Sequence, residues 1–195
     1  EHLAVVADTV QKIIDIELTW KIDETGKIIA SMEAQKDEEF PDLPRFGIRL
    51  FLDKKFEDVA YYGMGPYESY RDKHQATSHG IYRSKVTDLH EDYIRPQENG
   101  SHYDCDYVEL TNAQYGFAIV SEDSFSFNAS YYTQEVLEQT EHNFELEESD
   151  STVLCVDYAL NGIGSNSCGP VVLDQYRFRE NEFRFQLKLV PYVKR

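Results

Sequence analysis

The stretch Phe183–Val190, FRFQLKLV, decides the fold. Phe183, Phe185, Leu187 and Leu189 fall on one side of an extended chain, while Arg184, Gln186 and Lys188 fall on the other. A period of two marks a strand with one buried and one wet face. The same period recurs upstream. Ile14, Ile16, Leu18, Trp20 and Ile22 alternate with Asp15, Glu17, Thr19 and Lys21. Asp23–Gly26 then supplies a turn, and Lys27–Ala34 returns as the second strand of a hairpin. Arg45–Leu52 carries Phe46, Ile48, Leu50 and Leu52 on one face, and Lys54–Asp58 turns the chain into a short strand at Val59–Tyr62. Further strands are predicted at Ser84–Leu89, at Tyr103–Leu110, at Gly116–Ser121 beyond a connection Thr111–Tyr115, and at Phe125–Tyr131. Val153–Leu160 is apolar on both faces, which suits a central strand. Val171–Arg179 is expected to pair with Phe183–Val190 and close the structure. About ten short strands in one chain point to an all-β fold of two packed antiparallel sheets.

One helix is predicted, at Thr133–His142. Thr133 can cap it, Gln134 and Glu135 suit the positive first turn, and Val136, Leu137 and Thr140 recur at helical spacing. Glu1–Val10 read as the tail of something cut away upstream, and residues 1–11 as the remnant of an upstream linker. Gln35–Asp42 is an acidic, solvated excursion, Gly63–Lys73 a turn-rich break, and Arg95–Gly100 a second loop. Asn161–Pro170, NGIGSNSCGP, is a third. Three of its residues are Gly and two are Asn, so its backbone can approach another surface closely. A loop of that kind on a rigid sheet is where contacts are usually made.

The 195 residues fit one large domain, able to bury about 70% of its unfolded surface without disulfide or metal. With 36 acidic against 19 basic side chains the chain carries −17, which repels nucleic acid and anionic membrane. No apolar run approaches the ~18 residues of a membrane span, and no signal peptide is evident. Cys105, Cys155 and Cys168 are an odd set without CxxC spacing, read as free thiols in a reducing compartment. The 14 Tyr, 11 Phe and one Trp fit a sheet protein that meets sugars or other proteins.

Catalytic constellations are hard to find. Gly63 and Gly65 make a lone GxG with Glu68 where a dinucleotide fingerprint needs its last Gly, so no phosphate cradle is read there. Adjacent acids such as Glu122–Asp123 and Glu147–Glu148 face opposite sides of an extended chain and read as solvated surface. His102, Asp104 and Asp106 alternate as metal ligands could, but no second cluster exists and a polar sheet face explains them. Cys168 has no neighbouring base to make it a nucleophile. Asn128–Ser130 matches a glycosylation acceptor, but it lies in a strand pattern and reads as chance.

Four segments occur in a telling order: YGMGPYESYRDK (Tyr62–Lys73), RPQENG (Arg95–Gly100), the strand and helix of Phe125–His142, and NGIGSNSCGP (Asn161–Pro170). Together with LPRFGIRLFL (Leu43–Leu52), they resemble the C-terminal, small-chain domain of the lactase-type β-galactosidases of glycoside hydrolase family two. The resemblance runs from about residue 12 onward. It implies a β-supersandwich related to galactose mutarotase, the fifth domain of an enzyme whose two catalytic glutamates sit in a separate (β/α)-barrel. It implies no catalytic residue here, and a loop whose Asn166, Ser167 and Cys168 line the outer wall of the galactoside pocket. Some family members carry Trp at the position of Cys168; Cys cannot stack on a sugar. Tyr67, Glu68, Tyr70 and Arg71 are expected to anchor loops rather than touch sugar. The resemblance further implies Mg2+ and Na+ in the parent enzyme, with none in this domain, a barrel domain as partner, a homo-oligomer and a cytoplasmic location. Two other readings remain open: an aldose epimerase using a Glu and one of His74, His79, His90 or His102, and a non-catalytic sugar-binding module.

Overall fold

A computed structural model describes residues 1–6, 11–164 and 171–194. Among the described residues there are ten strands: β1 (His2–Val6), β2 (Lys12–Ile22), β3 (Ile28–Lys36), β4 (Arg45–Asp53), β5 (Asp58–Gly65), β6 (Ser78–Lys85), β7 (Ser101–Thr111), β8 (Tyr115–Ser130), β9 (Ser151–Leu160) and β10 (Glu182–Val193). Every pairing is antiparallel. The fold is the all-β sandwich expected, with one short helix among the described residues.

The strands hydrogen-bond in the order β1-β2-β3-β10-β8-β7-β5-β6, and β9, which carries β4 on its far side, branches from β8. The branch depends on the length of β8. Its first half, to Val120, pairs with β10, and its second half, Ser126–Ser130, pairs with β9. Opposite the change of partner, β7 shifts register twice between His102 and Tyr107, and Asp104 sits there at φ 53°. Bulges sharpen twist, which lets β8 pass from one layer to the other.

The β4–β9 ribbon thereby lies over β3 and β10. Phe46 meets Phe183 edge-on at 4.8 Å, and Tyr158 stacks on Phe183 at 4.9 Å. Phe183, Phe185, Leu187 and Leu189 are all buried beneath it, as their alternation predicted. Each such side chain contributes about 1.5–3 kcal/mol relative to exposure. Strand β9 is buried along both faces, one by the opposing sheet. On the other, Cys155 meets Gln134 of α1 (Gln134–Gln139).

Several boundaries differ from the sequence reading. Within residues 1–11, His2–Val6 form an edge strand on β2. The strand expected at Ser84–Leu89 is β6, earlier in the chain, followed by a 3₁₀ turn at Val86–Leu89 that buries Val86 and Leu89. Gly116–Ser121 and Phe125–Tyr131 belong to the single strand β8. Val171–Arg179 is not a strand: it holds a 3₁₀ turn at Asp174–Tyr176 and buries Phe178, and β10 pairs with β3 instead. Val171–Arg179, VVLDQYRFR, lacks a clean alternation, and β3 offered eight consecutive partners. Helix α1 stops short of His142 because the Thr140 hydroxyl and its backbone N–H both donate to Val136 O, tying off the turn. Thr133 does cap it, accepting from Val136 N at 3.3 Å.

Candidate functional site

Three loops meet at one end of the sandwich, and buried charge holds them. Glu68 is only 8% exposed. Its Oε2 accepts from Gly100 N at 2.8 Å, and its Oε1 accepts from Lys73 Nζ and Tyr93 OH. Burial pushes the Glu68 carboxyl upward, but these donors outweigh it and hold the carboxyl below the usual range. Ser69 N donates to Ser101 O, and Tyr103 N to Ser69 Oγ. The loop after β5 is thus laced to the loop before β7. Asn128 Nδ2 donates to Asn99 O from inside β8, which explains why the glycosylation-like triplet is buried rather than displayed.

A second anchor lies beneath. Arg45 spans Asp157 and Glu98: Nε and Nη2 donate to Asp157 at 3.2 and 2.5 Å, and Nη1 donates to Glu98 at 3.1 Å. Burial pushes the Glu98 carboxyl up, and Arg45 pulls it back. Asp157 is the lone acid in the apolar run VLCVDYAL, and a buried carboxylate needs such a partner. That was the one sequence signal for the anchor; Arg45 and Glu98 carried none.

The third loop leaves β9 beside this anchor. Asn161 N donates to Pro44 O, Phe178 N to Asn161 Oδ1, and Gly162 N to Tyr176 O. Asp72, on the first loop, then accepts from Ile163 N at 3.1 Å and Gly164 N at 2.8 Å. Asn166, Ser167 and Cys168 lie outside the described residues. Of the four expected loop anchors, Glu68 and Tyr70 are buried and Arg71 reaches Arg177 O at 3.5 Å. Tyr67 differs. Its ring is 63% exposed and lines a cleft of about 310 Å³ with Glu68, Lys73, His74 and Tyr93.

The histidines do not form the polar face expected around His102. That ring is 1% exposed, packed between Tyr61 at 4.4 Å and Phe127 at 5.0 Å, and burial pushes its pKa down to about 4. The bulge at Asp104 breaks the alternation, so His102, Asp104 and Asp106 do not share a face. His74 lines the cleft with its Nδ1 on Tyr70 O, and His79 bonds Asp104 O. Glu68, in the same cleft, has both oxygens engaged, so it anchors rather than exchanges protons. Among the described residues no group of three acids, histidines or cysteines is placed to hold a metal ion, and no helix is long and apolar enough to cross a membrane. Cys105 and Cys155 are buried free thiols.

The geometry defines an antiparallel β-sandwich with three loops tied together by carboxylates, Glu68 between the first two and Asp72 between the first and the third. Residues 2–189 match the family model described as "Beta galactosidase small chain", and the chain belongs to that family. It is 44% identical over 187 residues to a β-galactosidase of Actinobacillus pleuropneumoniae, covering 96% of this chain and 18% of that protein. It is 41% identical over 191 residues to one of Staphylococcus xylosus, covering 97% of this chain and 19% of that protein. The β-galactosidase of Kluyveromyces lactis is 33% identical over 82% of this chain and 15% of its own length. The chain therefore spans less than a fifth of the length of these relatives.

Proposed function

We propose that these 195 residues are a single domain, the C-terminal one of a β-galactosidase that hydrolyses terminal non-reducing β-D-galactose residues, lactose included, with retention of configuration. The catalytic acid and nucleophile, two glutamates, belong to a barrel elsewhere in the longer protein, as do the residues that hold Mg2+ and Na+. This domain contributes a wall. Asn166, Ser167 and Cys168 face the galactoside from the third loop, the barrel domain is the domain's main partner, and the full enzyme is a cytoplasmic homo-oligomer. The observation that carries this reading is the near end-to-end match to proteins named β-galactosidase that are more than five times longer. The convergence of the three family-bearing loops at one end supports it, since a wall must be built from segments held in register.

The test is direct. The isolated chain, mixed with a chromogenic β-galactoside, is expected to give no turnover above buffer, whereas the full-length enzyme turns it over. Hydrolysis by the 195-residue chain alone would falsify the division of labour. Accelerated mutarotation of fresh α-galactose by the isolated chain would instead favour the epimerase reading, and galactose binding seen by calorimetry the sugar-binding module.

A further inference from the structure

We propose that Asp72 is a positioning residue of the galactoside pocket, clamping the stem Asn161–Gly164 from which the third loop departs; this rests on the proposed function above. Both carboxylate oxygens are used, Oδ1 accepting from Ile163 N and Oδ2 from Gly164 N, across 91 and 92 residues of chain. Two successive amides on one carboxylate fix a backbone direction, not merely a distance, because both N–H vectors must converge on one rigid plane. The site is built for this contact. A Cβ at Gly162 would stand 2.8 Å from Asp72 Cγ, so only glycine there allows the carboxylate to approach. The residue that carries the clamp is held from the other side: Tyr70 and Lys73 exchange backbone hydrogen bonds around it, and Glu68 ties the same loop to Gly100.

The stem is also fixed independently at its base, by Asn161 N on Pro44 O and Gly162 N on Tyr176 O. Those bonds hold the loop to the sheet. Beyond Gly162 the side-chain hydrogen bonds to the stem come from Asp72, through Ile163 and Gly164, while Val172 packs against Gly162 and Gly164 without directing their amides. A wall residue contributes uniform binding, so misdirecting it weakens substrate binding and leaves the chemical step intact.

Asp72→Ala and Asp72→Asn in the full-length enzyme are the test, with kcat and KM for a chromogenic galactoside measured beside thermal unfolding. Asp72→Ala is expected to raise KM about tenfold with kcat within about twofold; Asp72→Asn, keeping one acceptor oxygen, is expected to fall between. Thr152→Val, which removes a buried hydroxyl bonded to Phe56 O at 3.0 Å, serves as the control that lowers Tm without moving KM. If Asp72→Ala leaves KM unchanged while Cys168→Ala raises it, the clamp is refuted and the pocket-wall reading stands. If neither variant nor Cys168→Trp moves KM, the wall reading itself falls. Should Asp72→Ala fail to fold, amide exchange at Ile163 and Gly164 in Asp72→Asn decides: unchanged protection at both amides overturns the clamp, and faster exchange at either upholds it.

Discussion

Glu68 shows how one buried carboxylate can organise two loops. Removing its charge leaves Lys73, Tyr93 and Gly100 N competing for a neutral amide, so Glu68→Gln is expected to cost about 2 kcal/mol at pH 7. The sign with pH follows from the depressed carboxyl. Its contribution is fully present above the ordinary glutamate value of about 4.3 and is lost as pH falls through the lower folded value. Urea unfolding of both proteins at pH 7 and at pH 3 measures it: the gap should narrow in acid. A gap of equal size at both values would mean that shape, not charge, is what the loops need. In the sequence Glu68 stood out as the wrong residue for a phosphate fingerprint, and nothing there named its partners, which lie five, 25 and 32 residues away.

At the level of the element, packing explains the pair Gly63 and Gly65 without a phosphate loop: Gly65 makes room for the Tyr61 and Tyr82 rings, and Gly63 for β7. A Cβ at Gly63 would sit 2.1 Å from Cys105 Sγ and 2.9 Å from Cys105 Cα. The glycine is there because the bulge in β7 brings its backbone close to β5. Gly63→Ala must push two strands apart beside the point where β8 changes partner, and is expected to cost about 1–3 kcal/mol in chemical denaturation. An alanine variant as stable as the parent would show that β5 shifts freely. Elements with one strongly alternating face, β2, β4 and β10, were legible because core and solvent sort their residues by parity. Edge strand β6 was not. Ser78–Lys85 is polar and glycine-containing, and its position is set by the backbone ladder to β5 rather than by its own side chains.

For the molecule as a whole, the two described cysteines report how tightly the layers close. Cys105 is fully buried, and burial pushes its thiol far up; Cys155 is 4% exposed and pushed up to about 11. In a Cys168→Ser chain, a thiol reagent at pH 8 is expected to label neither until denaturant is added, and then both. Labelling of Cys155 in the native state would mean that the β4–β9 ribbon opens readily, and labelling of Cys105 that β7 does. The reach of the core is something no pattern disclosed. The apolar face of β2 continues through Trp20 and Ile22, yet these are 41% and 70% exposed, because the core covers Ile14, Ile16 and Leu18 and stops short of the strand's far end.

Parity of apolar residues, a local property, already settled that this chain is an antiparallel sandwich, since side chains alternate across a strand wherever it sits. The ordered loop motifs likewise settled the family. Which strands pair, where β8 changes layers, and that Arg45, Glu98 and Asp157 meet while His102 turns inward were decided only in three dimensions. The cause is the same in each case: a buried charge or a bulge is paid for by groups distant in sequence, and a linear pattern holds no record of which distant group will arrive.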